Sequence, residues 1–254
     1  MSTQLIKAFT ERKELPKLNT SKYLKVSEFY FDTIQGEGVS TGCPAAFLRL
    51  GGCHVNCVYC DTTEVWRFHQ PYTFMELYQM MNESLLVDKL RDGQHLVITG
   101  GAPLLQQSAI AEFLWGFVNR FGFLPFVEIE NECTIVPESK LIQFVSQWNN
   151  SPKLSSSGVN PKIRYRENAI YKTAQLENSW FKFVVWLEEE WGEIENLFLK
   201  PSLIKKNQII LMPLGATQKE LEENRNVVVE MAVKHNVRYC TREHIVLWNK
   251  NVGV

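Results

Sequence analysis

"AAFLRLGGCHVNCVYCDTT", residues 45–63, starts as an apolar run, ends that run in Gly51 and Gly52, and then places Cys53, Cys57 and Cys60 within eight residues. The run reads as a β-strand. In α/β folds, ligands collect at the carboxyl ends of strands. A strand that ends in glycines and thiols therefore marks one rim of a sheet as a site.

The same alternation continues on both sides. Residues 28–34 ("EFYFDTI") read as an aromatic-rich strand. Thr73 and Glu76 have capping-box spacing and open a helix. "HLVITGG" reads as a strand, and "SAIAEFLWGFVNRFG" as a helix stopped at Gly122. "PFVEIE" reads as a strand, and "PESKLIQFVSQW" as a helix opened by Pro137. "WFKFVVWL" and "NQIILMPL" read as strands, and the aromatics of "WFKFVVW" and "FLWGF" as core. Thr217 and Glu220 open the helix "KELEENRNVVVEMAVKH", and "HIVLW" reads as a last strand. Strands alternating with helices predict a parallel sheet, open or closed into a full or partial barrel. Residues 1–24 are polar and irregular and read as an extension, leaving 25–254 as one domain. Residues 153–173 show no clear period and read as a loop, partly helical.

The chain has 254 residues, 45% hydrophobic and 22% charged, with a formal net charge of −1. That composition supports a large core and argues against disorder. No basic excess points to nucleic acid, and no apolar run approaches a membrane span. With no secretory h-region near the N-terminus, the expected compartment is the cytoplasm. There, cysteines serve as metal ligands, catalytic groups or buried apolar residues more often than as disulfides.

Three close thiols leave two kinds of site open. Zinc takes four protein ligands, or three plus water. His54 could be a fourth, but it directly follows Cys53, which is poor geometry for a tetrahedron. Cys43, Cys133 and Cys240 qualify by count alone. A four-iron cluster normally takes four thiolates, and three would leave one iron open to a ligand that reacts.

The C-x3-C-x2-C spacing, with Tyr59 before the last cysteine, resembles the radical S-adenosylmethionine signature. "TIQGEGVSTGCPAAFLRLGGCHVNCVYCDT", "VITGGAPLLQ", "SPKLSSSG" and "LMPLGATQKE" occur in the order expected of the 7-carboxy-7-deazaguanine synthase family. The resemblance runs from about Glu28 to the C-terminus.

It implies an α/β fold, an incomplete (β/α) barrel of the radical S-adenosylmethionine type. It also implies a [4Fe-4S] cluster, S-adenosyl-L-methionine and Mg²⁺. The implied reaction is radical ring contraction of 6-carboxy-5,6,7,8-tetrahydropterin to 7-carboxy-7-deazaguanine with loss of ammonia, on the route to queuosine and other deazapurines. Expected partners are the small-molecule pterin, a flavodoxin- or ferredoxin-type electron donor and a second copy in a homodimer, with no nucleic acid and no membrane. The rival readings are a protein-radical activase of the same superfamily and a degenerate cluster-binding protein.

Residue by residue, the resemblance assigns the cluster to Cys53, Cys57 and Cys60, and Mg²⁺ to Thr62. It assigns substrate contacts to Ile34, Gln35, Gly36, Glu37, Arg49, Thr99, His244 and the terminal Val254. Arg49 lies on an otherwise apolar strand and would offer its planar fork to a carboxylate. Its other reading is an internal salt bridge. Cofactor contacts fall to Tyr59 beside the adenine, Asp61, Gly101, Ser151, Pro152 and Lys153. The catalytic radical belongs to the cofactor, so no side chain is assigned as catalytic.

Two departures stand out. The superfamily's "GGEP" is "GGAP" here, so Ala102 replaces the glutamate expected to accept from the cofactor's amino group. The segment "IENECT" also carries the unusual Glu132 and Cys133. Either the amine contact is absent, or Glu130 or Glu132 supplies it.

Overall fold

The computed structural model describes residues 5–7 and 22–249. Among the described residues ten strands form one sheet: β1 (Leu5–Lys7), β2 (Tyr23–Ile34), β3 (Pro44–Leu50), β4 (Gln70–Thr73), β5 (His95–Gly100), β6 (Val127–Asn131), β7 (Gln147–Asn150), β8 (Ser179–Val185), β9 (Ile209–Pro213) and β10 (Arg238–Tyr239). Their order is β1-β2-β3-β5-β6-β7-β8-β9-β10, with β4 also on β2. Pairings at the β1–β4 end are antiparallel, and all those from β3 through to β10 are parallel. Among the described residues β10 pairs only with β9, so the sheet stays open as an incomplete barrel.

The period of two along each strand separates two faces. Phe29 and Phe31 of β2, Leu48 and Leu50 of β3, Ile98 of β5 and Ile129 of β6 pack outward against Leu77, Phe113 and Phe117 of the helices Phe74–Glu83 and Gln107–Phe121. Phe181 and Phe183 of β8 and Leu211 of β9 do the same against Ile170, Trp191 and Met231. Phe113, Phe117, Phe181 and Phe183 lie in the core as expected, whereas Trp180 and Trp186 are half-buried and Trp115 is exposed. The alternate positions face inward and mix apolar residues such as Phe47, Val184 and Met212 with the polar Glu28, Arg49, Thr99, Glu128, Glu130, Gln147, Asn149 and Lys182. A charged side chain on these strands has only the concave face open to it, since the convex face is closed by helices.

Local signals placed the three longest helices, Phe74–Glu83, Gln107–Phe121 and Gln218–Lys234. Thr73 accepts from the Glu76 amide at 3.2 Å while Glu76 accepts from the Thr73 amide at 2.8 Å, completing the capping box. Gly122 ends the helix Gln107–Phe121 at φ 76°. Residues 153–173 hold short helices, Pro161–Arg164 among them.

Other local readings are corrected. "HIVLW" is a helix, Glu243–Trp248, not a strand. A five-residue apolar run cannot distinguish the two, and docking decides: the Glu243 amide donates to the Gly36 carbonyl at 2.8 Å. The helix expected from Pro137 is only Ser139–Ile142, and Gln147–Asn150 becomes β7 because that edge of β6 needs a partner. Strands β1, β4 and β10 were not anticipated. β1 lies within the expected extension and pairs with β2. The remainder of residues 1–21 lies outside the described residues.

Replacing Thr73 by Ala removes one half of the capping box and should lower unfolding free energy by about 1 kcal/mol. Denaturant unfolding of the Thr73→Ala protein checks this.

Candidate active site

The inward face and the loops at the carboxyl ends of the strands enclose a cavity of about 530 Å³. Cys53, Cys57 and Cys60 line it, with Thr62, Tyr59, Asp61, Gly101, Ser151 and Lys153. Ile34, Gln35, Glu37, Arg49, Thr99 and His244 line it too. Two expected contacts do not. Gly36 backs His244, since a Cβ there would stand 2.0 Å from the imidazole Nδ1. Pro152 is buried beside Ser151. Val254 lies outside the described residues. Cys43, Cys133 and Cys240 do not line the cavity.

The loop carrying the thiols is held from several sides. The Ala102 amide donates to the Gly52 carbonyl at 2.9 Å, and the Val58 amide to the Ser157 carbonyl at 3.0 Å. Gly101 has no room for a side chain: a Cβ would lie 2.5 Å from Cys53 Cβ and from the Gly52 carbonyl oxygen. Tyr59 meets Trp186 edge-on, ring centres 6.0 Å apart.

The sulfurs themselves are prepared for metal. The Val55 amide points at Cys53 Sγ (3.4 Å) and the Trp66 indole N–H at Cys60 Sγ (3.5 Å). Burial opposes ionisation of Cys60, but hydrogen bonds from Thr63, Trp66 and Thr62 outweigh it and lower its pKa. Burial raises that of Cys57; Lys153 offsets this in part, while the nearby Cys60 and Cys53 add to it. Bound cationic iron would relieve that mutual repulsion. Among the described residues no three His, Cys, Asp or Glu side chains are gathered to hold a single metal ion. Three thiols spread around one cavity, two of them facing N–H donors, fit a larger cluster better than zinc.

Opposite the thiols lies a chain of ions. Glu37 pairs with Lys182 through one oxygen and with Arg242 Nε at 2.8 Å through the other. Arg242 also binds Asp61 and donates to the Gly215 carbonyl at 2.7 Å. Burial alone would raise Glu37 and Asp61. The neighbouring cations reverse this: Lys182 and Arg242 hold Glu37 well below the usual carboxylate range, and Arg242 lowers Asp61. Burial lowers His244. Arg49 donates from Nε to Glu28 at 3.0 Å, so the salt-bridge reading describes that edge of its guanidinium, while the residue still lines the cavity. Gln35, 1% exposed, accepts from the Glu37 amide at 3.2 Å and donates towards Glu128 and Glu130. Thr99 donates to Glu130 at 2.6 Å.

Lys182 and Arg242 were missed as site residues. Lys182 stands in the apolar run "WFKFVVW" just as Arg49 stands in "FLRL", and that signal could have found it. Arg242 lies in a polar connection and carries no such mark.

Comparison with known proteins agrees with this arrangement. Residues 34–123 match the model of the 4Fe-4S single cluster domain family. The chain is 32% identical over 223 residues to 7-carboxy-7-deazaguanine synthase of Pyrobaculum aerophilum, covering 88% of this chain and 94% of that protein. This chain belongs to the 7-carboxy-7-deazaguanine synthase family. The enzyme of the same name from Halobacterium salinarum is 28% identical, with 89% and 91% covered. Among solved structures, QueE from Escherichia coli superposes with a TM-score of 0.64 at 21% identity, covering 87% of this chain and 95% of that one, a likeness of fold.

Cys57→Ala should lose most bound iron after anaerobic reconstitution, whereas Cys43→Ala and Cys240→Ala should keep it; iron and sulfide analysis reads the difference. Glu37 and Asp61 titrate below their ordinary values of 4.5 and 3.8. Their contribution to stability is therefore full above about pH 4.5 and is lost as pH falls through the depressed values. Glu37→Gln strands Lys182 and should destabilise at pH 7 by on the order of 3 kcal/mol. It should also flatten the decline of stability below pH 4.5, measured by denaturant unfolding across pH.

Proposed function

We infer that this chain is a radical S-adenosylmethionine lyase that converts 6-carboxy-5,6,7,8-tetrahydropterin to 7-carboxy-7-deazaguanine with release of ammonia, within queuosine and deazapurine biosynthesis. The observation that carries the reading is one chamber lined by the three thiols and by the inward polar face, in a chain of this family. Family membership favours the synthase over an activase or a degenerate cluster-binding protein.

When bound, the [4Fe-4S] cluster and S-adenosylmethionine supply the 5′-deoxyadenosyl radical that takes hydrogen from the pterin. The chain's residues hold and orient. Cys53, Cys57 and Cys60 are assigned to the cluster. Tyr59, Asp61, Gly101, Ser151 and Lys153 are assigned to the cofactor, with Lys153 held towards the chamber by its bond to Ser151 Oγ (2.8 Å). On the pterin side, Arg49 keeps Nε on Glu28 (3.0 Å) and Nη2 on the Tyr30 hydroxyl (3.4 Å) and offers its remaining N–H groups to the substrate carboxylate. Thr99 and Ile34 contact the ring. Gln35 and Glu37 act mainly by shaping the pocket, since their polar atoms are already engaged. His244 covers the pterin from the C-terminal helix. Thr62, whose hydroxyl lies 3.7 Å from Cys60 Sγ, is assigned to Mg²⁺, which keeps waters and takes substrate oxygens, so that one protein ligand suffices.

The chain is assigned one radical S-adenosylmethionine domain over 25–254, a flavodoxin- or ferredoxin-type electron donor and a homodimeric, cytoplasmic state. No helix among the described residues is long and apolar enough to cross a membrane.

Anaerobic turnover with 6-carboxytetrahydropterin and mass detection of the product tests the reading; recovery of unchanged pterin from a cluster-loaded, reduced enzyme refutes it. Arg49→Lys should keep the cluster and cofactor cleavage but lose pterin turnover by at least tenfold, because an ammonium cannot reproduce the planar fork. Unchanged pterin affinity in that variant would reduce Arg49 to an internal ion pair.

A further inference from the structure

One buried carboxylate in the chamber has an oxygen with no partner. Glu132 lines the cavity just past the end of β6 and is 5% exposed. Its Oε1 accepts from the Thr134 hydroxyl at 2.7 Å, while its Oε2 is buried with no hydrogen-bond donor among the described residues. An unpaired buried carboxylate oxygen is costly and calls for a donor.

The carboxylate is held in place. Thr134 has one hydroxyl proton and gives it to Glu132, so His54 Nε2, 2.7 Å from the same oxygen, must be the donor to Thr134. His54 directly follows Cys53, which ties Glu132 to the thiol loop through two hydrogen bonds. The backbone is shaped for the same purpose. Asn131 Oδ1 accepts from the Cys133 amide at 3.1 Å, and Cys133 takes φ 64°, a left-handed conformation rare for a residue with a side chain.

Nearby acceptors are spoken for. Glu130 takes hydrogen bonds from Thr99 and Gln35. Ala102, 2% exposed and outside the cavity lining, offers no side-chain acceptor. Lys153 lines the same chamber, so an anion and a cation stand beside the thiols. That pairing complements the amine and carboxylate of an amino acid.

We propose that Glu132, positioned by Thr134 and His54, accepts the hydrogen bond of the α-amino group of S-adenosylmethionine. This rests on the family reading above and adds the residue that serves this chain where Ala102 cannot.

The test uses the full chain with its cluster reconstituted anaerobically, as wild type, Glu132→Gln and Thr134→Val. Iron content is measured, S-adenosylmethionine affinity is taken by equilibrium dialysis, and the electron paramagnetic resonance signal of the reduced cluster is followed as cofactor is added. In Glu132→Gln, Thr134 holds the amide oxygen, so the NH2 group replaces Oε2 and meets the ligand's donor. Cofactor affinity should fall roughly ten- to a hundred-fold with iron content unchanged, and the spectral change should require correspondingly more cofactor. Thr134→Val should weaken binding by a smaller factor. Methylthioadenosine, which lacks the amino acid portion, should bind wild type and Glu132→Gln alike.

Wild-type affinity in Glu132→Gln overturns the proposal. So does loss of the cluster in that variant, which would make Glu132 a prop of the thiol loop, and so does an equal loss for methylthioadenosine. A cluster-loaded wild type that binds no S-adenosylmethionine is a different result and refutes the family reading itself.

Discussion

Glu37 stands between Lys182 and Arg242, and Arg242 reaches on to Asp61. These four side chains come from the turn after β2, from β8, from the connection before the last helix and from the thiol loop. The Glu243 amide on the Gly36 carbonyl joins two of those segments, and the ion chain links all four across the chamber. Because Glu37, Lys182 and Arg242 are largely withdrawn from water, each needs its partner present. Separating one member would leave another buried and unpaired, at a cost well above the net worth of the intact pair. The chamber is thus held open at a defined span by groups that cannot drift apart cheaply.

The polar interior follows from how the sheet is covered. Helices close the convex face over Phe29, Leu48, Ile98, Ile129 and Phe181. Strand alternation then sends Glu28, Arg49, Thr99, Glu130 and Lys182 inward. The open sheet keeps that face accessible, whereas a closed barrel of this kind would be filled by side chains. Below the chamber Glu128 is surrounded by His95 at 2.5 Å, Gln147 at 3.1 Å and Asn149 at 2.5 Å. Burial would raise its pKa, and His95 and Asn149 lower it instead. This satisfied network forms the floor on which the partly satisfied groups above can meet ligands.

Particular residues show how far sequence reasoning reached. Cys53, Cys57 and Cys60 were legible because ligand spacing along one loop is a local property. Thr73 with Glu76 was legible because a capping box closes within four residues. Arg49 was visible as a charge in an apolar strand, though not its hold on Glu28, which lies 21 positions away. Arg242 had no local signature, since its partners Glu37 and Asp61 are 205 and 181 positions distant. Glu132 stood out only as an oddity; its unpaired oxygen became meaningful once Thr134 and His54 were seen to hold it.

By itself the sequence determined the alternating strands and helices, the thiol loop at a strand end and the family to which these motifs belong, because periodicity, capping and ligand spacing are written over a few neighbouring residues. Tertiary structure decided that "HIVLW" is a helix docked on Gly36, that Gln147–Asn150 is a strand and which charges share the chamber. Those outcomes depend on partners distant in the chain. Their free energies arise only when burial brings the partners together, so no window of local sequence contains them.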